Sequence, residues 1–280
     1  MRRGNKTLHH CKHITIAAAL VAMLGLSACN GGNAVSGLRV DKAQGSSENI
    51  RSLTQVVNAN PRNAEAYNVR GSAYGRAGRF SSALKDFSTA IALNGRFYQA
   101  YANRALMFKN TGNQQQAVKD YNSSIAINPR YSSAYIGRGD IYARAGQSQA
   151  ALRDYNQAIE LGTTNPRAYH RRGLLYQKSR QHAQAIEDFA KAISYADQQA
   201  APYNARGLSY LATGAQQNAL DDFNTALKID RKYAEAWTNQ ALVYEQRGKK
   251  KQAFKAYARA AALKPSYGPA RDGMARTRGS

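Results

Sequence analysis

One spacing constrains this chain more than any other property. Gly71, Ala105, Gly139, Gly173, Gly207 and Ala241 stand 34 residues apart, and the same pattern returns around each of them. Such a period marks a helical solenoid, in which each unit buries its apolar face only against its neighbours. With Ala64 as position 1, the frame runs 64–97, 98–131, 132–165, 166–199, 200–233 and 234–267. Position 4 (Tyr67, Tyr101, Tyr135, Tyr169, Tyr203, Trp237), position 11 (Tyr74, Phe108, Tyr142, Tyr176, Tyr210, Tyr244) and position 24 (Phe87, Tyr121, Tyr155, Phe189, Phe223, Tyr257) are aromatic in all six units. These spacings return large rings to the inward face of helices.

Small residues mark where two helices approach closely: position 8 as above, and position 20, alanine in every unit from Ala83 to Ala253. Position 15 is Gly78, Gly112, Gly146, Gly214 and Gly248, with Arg180 the exception. Glycine just past a helix end takes the left-handed conformation that satisfies the last carbonyls. Pro129 and Pro265 fall at position 32, where a second helix ends. Each unit therefore reads as two antiparallel helices joined by a tight turn.

This pattern resembles the tetratricopeptide repeat over 204 of 280 residues. The resemblance implies an all-α fold, a right-handed superhelical solenoid of six repeats with capping helices. Residues 49–63, carrying Ile50, Leu53, Val56 and Val57, read as an N-terminal capping helix, and 268–280 as a basic C-terminal cap.

Position 7, usually apolar in that family, is Arg70, Arg104, Arg138, Arg172 and Arg206, then Gln240. Position 23 is Asp86, Asp120, Asp154, Asp188 and Asp222, then Ala256. Both charges vanish together in the sixth unit, so we expect an ion pair within each of the first five repeats.

Residues 1–28 read as an export signal: Arg2, Arg3, Lys6 and Lys12, an apolar run from Ile14 to Leu26, then small residues. The run is shorter than the ~20 residues a membrane span needs. Leu26-Ser27-Ala28-Cys29 resembles the lipobox of bacterial lipoproteins, which implies that Cys29 carries lipid. The other cysteine, Cys11, lies in the leader, so no disulfide is expected in the exported chain. Residues 29–48 follow as a glycine-, serine- and asparagine-rich tether with a reach of roughly 25 Å. Asn30 in place of aspartate favours, by the same resemblance, the bacterial outer membrane with the solenoid facing the periplasm.

The formal charge is +23, and +19 without the four basic residues of the leader. Export behind a lipid argues against nucleic acid as the partner. Ten basic residues between Arg247 and Arg278 face a single acid there, Asp272, a patch suited to anionic lipid or envelope polymer. The family resemblance implies a concave groove lined by positions 2, 5, 6, 9, 12 and 13, which takes a partner protein. Candidate groove residues are Asn103, Arg144, Arg167, His170, Arg171, Lys178 and Asn239, with a more apolar stretch at Leu208, Leu211, Ala212 and Leu242. Arg167 and Arg171 match the places where some family members hold a carboxylate, whereas Gly137 stands where those members have asparagine. No converging catalytic, cofactor or metal-ligand set is present in the sequence, so we expect no enzyme and no cofactor. The expected role is a membrane-tethered scaffold for envelope proteins.

Overall fold

Every 34-residue unit turns between its two helices at a left-handed residue, and two of the first helices also carry a side-chain cap. Asn63 and Asn165 accept from the first free N–H groups of their helices, and Pro166 opens the second of these at a place that needs no donor. At position 15 the glycines adopt φ between 71° and 84°, and Arg180 takes the same left-handed turn at φ 59°. The turn geometry is thus kept even where the residue type changes.

The computed structural model describes residues 44–279. Among them are 14 helices and no strand. They are α1 (Ser47–Ala59), α2 (Ala64–Arg76), α3 (Phe80–Leu93), α4 (Tyr98–Asn110), α5 (Gln114–Ile127), α6 (Ser132–Arg144), α7 (Ser148–Glu160), α8 (Pro166–Lys178), α9 (His182–Tyr195), α10 (Ala200–Ala212), α11 (Gln216–Ile229), α12 (Ala234–Gln246), α13 (Lys250–Leu263) and α14 (Gly268–Thr277). Six helix pairs, α2–α3 through α12–α13, stack into a solenoid, with α1 before them and α14 after. The export signal, Cys29 and the tether up to residue 43 lie outside the described residues. Among the described residues no helix is long and apolar enough to cross a membrane.

The three aromatic positions divide their labour in a way that spacing alone does not show. Position 24 forms the core: Phe87, Tyr121, Tyr155, Phe189, Phe223 and Tyr257 are all at most 3% exposed. Most rings at positions 4 and 11 are instead half-buried and flank the position-7 guanidinium. Arg70 lies 5.5 Å from the Tyr67 ring and 5.8 Å from Tyr74, and Arg104, Arg138 and Arg206 repeat this arrangement. Ring faces attract a cation, so the arginine and its rings pack as one unit.

Each of these arginines also grips the aspartate of its own repeat with two hydrogen bonds. Arg138 Nε and Nη2 donate to Asp154 Oδ2 and Oδ1 at 2.9 and 2.6 Å, and Arg70, Arg104, Arg172 and Arg206 do the same with Asp86, Asp120, Asp188 and Asp222. The aspartates are buried, so this pairing keeps a desolvated charge satisfied. It also raises the guanidinium pKa in all five repeats.

A second contact joins neighbouring repeats. The Nη1 atoms of Arg104, Arg138 and Arg172 reach back to Ser88, Asn122 and Asn156, at position 25 of the preceding unit, at 3.1, 2.6 and 2.8 Å. Gln240 makes the same link to Asn224 at 2.6 Å. For Arg206 the corresponding residue is Ala190, whose methyl group accepts nothing. That joint is tied elsewhere: Gln177 Nε2 on α8 donates to the Ala205 carbonyl and to Ser209 Oγ on α10, at 2.9 and 2.8 Å.

Candidate functional site

The first helices of repeats two to four bring positions 2, 6, 9, 12 and 13 to one surface, as Arg167, Arg171, Asp140, Lys109 and Arg144. Three adjoining depressions follow the first helices from Ser72 to Arg171 and share Asn103, Leu106, Lys109, Asn110 and Arg167 on their walls. The one at repeats two to four has a volume of about 410 Å³ and is lined by Lys109, Asn110, Asp140, Ala143, Arg144, Tyr155, Arg167 and Arg171.

Its floor is an acid among bases. Asp140 is 5% exposed, and its Oδ1 accepts from the Tyr155 hydroxyl at 3.0 Å. Arg167 Nη2 donates to Oδ2, Lys109 Nζ stands 3.6 Å from the same oxygen, and Arg171 Nε stands 3.8 Å from Oδ1. Burial, then the charges of Arg167, Arg144 and Arg171, bring the Lys109 pKa down to about 8. Burial, then Arg171, also lowers that of Arg167. The Tyr155 phenol is pushed up to about 12, chiefly by burial.

Of the candidate groove residues, the structure brings Arg144, Arg167 and Arg171 together. His170 does not line the cavity; its ring lies 5.7 Å from Phe189, and burial and then Arg171 lower its pKa to about 4. Lys178, at the exposed end of α8, also stands away from the cavity wall. Asn103 and Asn239 are engaged with their neighbours: each donates to an asparagine of the preceding repeat, Asn68 and Asn204, at 2.9 and 2.8 Å. Leu208 and Leu211 turn partly inward, against a cluster of Ala219, Leu220, Phe223 and Val243.

Two central members, Lys109 and Asp140, were not among the candidates. They occupy positions 12 and 9, groove positions by the same rule, so applying that rule to repeat two and to acids as well as bases finds them.

Gly137 has a packing reason. A Cβ on it would lie 2.3 Å from Cζ of Tyr121. In the repeats with glycine at position 8, the position-24 ring presses on that glycine instead, as Phe223 does on Gly207, where a Cβ would lie 2.6 Å away. In the two repeats with alanine there, Ala105 and Ala241, the ring meets a glycine of the following helix, Gly137 or Gly273. The missing asparagine is thus the space a tyrosine takes.

The C-terminal patch is more compensated than its local sequence implies. Arg276 donates twice to Glu245, at 2.9 and 3.0 Å, and Lys264 once to Glu235, at 2.8 Å. Both acids lie on α12, upstream of the window in which Asp272 stood alone. No group of residues that could hold a metal ion occurs among the described residues.

Sequence models of the tetratricopeptide repeat match residues 68–132, 139–179, and, unit by unit in the frame above, 166–199, 200–233 and 234–267. The chain belongs to the tetratricopeptide repeat family. Solved structures share the tetratricopeptide solenoid. The Cut9–Hcn1 hetero-tetramer of the APC/C superposes with a TM-score of 0.72 at 19% identity, over 86% of this chain and 48% of that one. This chain therefore spans about half the length of that relative. YrrB, described as a TPR protein with an unusual peptide-binding site, gives 0.58 at 20% identity over 66% of this chain and 96% of its own. PilF of Pseudomonas aeruginosa gives 0.70 at 16% identity over 76% and 97%. No curated protein sequence matches the chain. A tetratricopeptide array of this kind is a scaffold for protein–protein interaction.

Proposed function

We propose that this protein is a non-enzymatic, lipid-anchored scaffold of the bacterial cell envelope. Cys29 carries the lipid, the outer membrane supplies the location, and the solenoid faces the periplasm. Its groove recruits envelope proteins, in particular enzymes such as cell-wall hydrolases or proteases. One observation carries this reading: a lipobox-like segment, Leu26 to Cys29, stands ahead of an interaction solenoid that fills residues 64–267. A lipid anchor concentrates the scaffold at a surface, and each client it binds is then concentrated with it.

A second reading is a pilotin-like role in assembling a pilus or secretion machine, supported by the same pairing of lipid signal and repeat. A third is attachment to anionic envelope polymer or lipid through the basic C-terminus, for which Lys249, Lys250, Lys251 and Lys255 supply exposed charge.

Labelling of cells with palmitate tests the anchor: the chain takes up label and Cys29→Ser does not, and equal labelling refutes lipidation at Cys29. Affinity capture from crosslinked cells, beside Arg167→Glu with Arg171→Glu, tests the recruitment. Hydrolases or proteases lost in the double variant support the adaptor. Pilus or secretin components in their place favour the assembly reading. Salt-sensitive retention on purified envelope polymer, unchanged in the double variant, favours the third.

A further inference from the structure

The arginines of the ladder are matched one to one by aspartates, whereas the cavity of repeats two to four is not balanced. Lys109, Arg144, Arg167 and Arg171 line it, and Asp140 is the one acid among its lining residues. Three of those cations already lie within 3.8 Å of the Asp140 carboxylate, whose Oδ1 is further occupied by the Tyr155 hydroxyl. Burial first, and then the charges of Arg167, Arg144 and Arg171, lower the proton affinity of Lys109 at this place. A guanidinium carries five N–H donors, so the arginines keep donors beyond those directed at Asp140. Charge and donors are both left over at one place.

Their convergence selects among anions. A ligand that answers these cations must deliver its charge at a single point, because they gather around one carboxylate. Neighbouring side chains of an extended peptide point to opposite faces, and those on one face repeat only every ~7 Å. A phosphate monoester carries about −1.5 to −2 charge on three oxygens of one phosphorus, and arginine forks match that geometry. The volume of about 410 Å³ admits the phosphate together with the small group that bears it.

We propose that this cavity is a binding site for a phosphate monoester group. Arg144, Arg167 and Arg171 supply guanidinium donors at its mouth, Lys109 supplies a point charge at its floor, and Asp140 holds the cations together before the anion arrives. The headgroup of a lipid and a soluble sugar or glycerol phosphate present the same chemistry. The site lies in the stretch of groove that holds Arg167 and Arg171, the residues of the recruitment test above; phosphate binding by the purified chain and protein capture from cells are separate readouts, so either reading stands if the other fails.

Isothermal titration of the full chain in non-ionic detergent tests it, with glycerol 3-phosphate as the probe and a Glu-Glu peptide as the competitor class. We expect saturable one-to-one binding of the phosphate, tighter than that of the peptide. Arg144 and Arg171 are exposed, so removing them spares the core. Arg144→Gln and Arg171→Gln should each weaken binding by about tenfold, the worth of a charge-assisted hydrogen bond. Lys119→Gln, which removes the same charge from an exposed site on α5, should leave it unchanged. Vesicles then identify the source: binding to phosphatidic acid but not phosphatidylglycerol, relieved by glycerol 3-phosphate, marks a lipid headgroup, and binding of the free monoester alone marks a soluble ligand. Tighter binding of the peptide, equal weakening by Lys119→Gln, or no saturable heat with the phosphate overturns the proposal.

Discussion

The joint between repeats three and four and the joint between repeats four and five are built from the same frame but fastened differently. At the first, Arg172 reaches from its own Asp188 across to Asn156, so one guanidinium spans three helices. At the second, Arg206 holds Asp222 but meets Ala190, and the link passes to Gln177, which ties α8 directly to α10. Position 25 is therefore not required for stacking; the buried ring of position 24 does that. What position 25 adds is a directional bond that can move to another side chain when one residue changes.

The largest effect should come from the pair within a repeat, which both joints share. Arg138→Met leaves Asp154 buried without its partner and should destabilise by about 3 kcal/mol in chemical denaturation, while Lys119→Met should stay within about 0.5 kcal/mol. Equal losses would mean that the pairs contribute nothing beyond surface charge. Next comes the transferred link. Gln177→Ala strands Ser209 Oγ, which is fully buried, and should lower stability by about 2 kcal/mol, with faster hydrogen exchange concentrated in α10. A uniform increase along the chain would contradict a local joint.

The charged cavity belongs to the repeats before that joint, and pH addresses it through Lys109. The folded pKa of Lys109 is depressed to about 8, below its unfolded value near 10.4. Between these values the unfolded chain holds a proton that the folded chain has released, so stability rises with pH there, and the penalty is fully present below pH 8. Relative to Lys109→Met, the protein should gain about 2 kcal/mol from pH 8 to 10.4, as read from denaturation midpoints at each pH. A constant difference across that window would show Lys109 to be ordinarily solvated. Smallest are the exchanges at position 25: Asn156→Ala should cost about 1 kcal/mol, and Ala190→Asn should gain about 0.5 kcal/mol once the lower helix propensity of asparagine is included. If Ala190→Asn destabilises, the second joint has no room for the rung.

The solenoid was legible because its signals are local and repeat six times over. A turn residue at position 15 or a buried ring at position 24 means the same thing in every unit. Even the pairing of Arg138 with Asp154 could be read, because both charges drop out of the sixth repeat together. The cavity was only half legible. Arg144, Arg167 and Arg171 stand out as bases on groove positions, whereas Asp140, also on a groove position, is an acid that no other repeat carries there. His170 sits beside Arg171 in the chain, yet packs towards Phe189, since adjacent residues of a helix point about 100° apart. The partners of the C-terminal bases lie on another helix, and local charge counts cannot reach across a turn.

The exchange between Ala105, Tyr121 and Gly137 reaches beyond packing, into the order in which such a groove can change. With the Tyr121 ring lying over residue 137, any larger side chain there collides before it can offer a hydrogen bond. An asparagine becomes admissible at 137 only after the ring has been withdrawn, and glycine at 105 is the change that gives it somewhere to go. The binding surface of the third repeat is thus held by a residue of the second that need never touch the ligand. Placing an asparagine at 137 takes two substitutions in a fixed sequence, the silent one first.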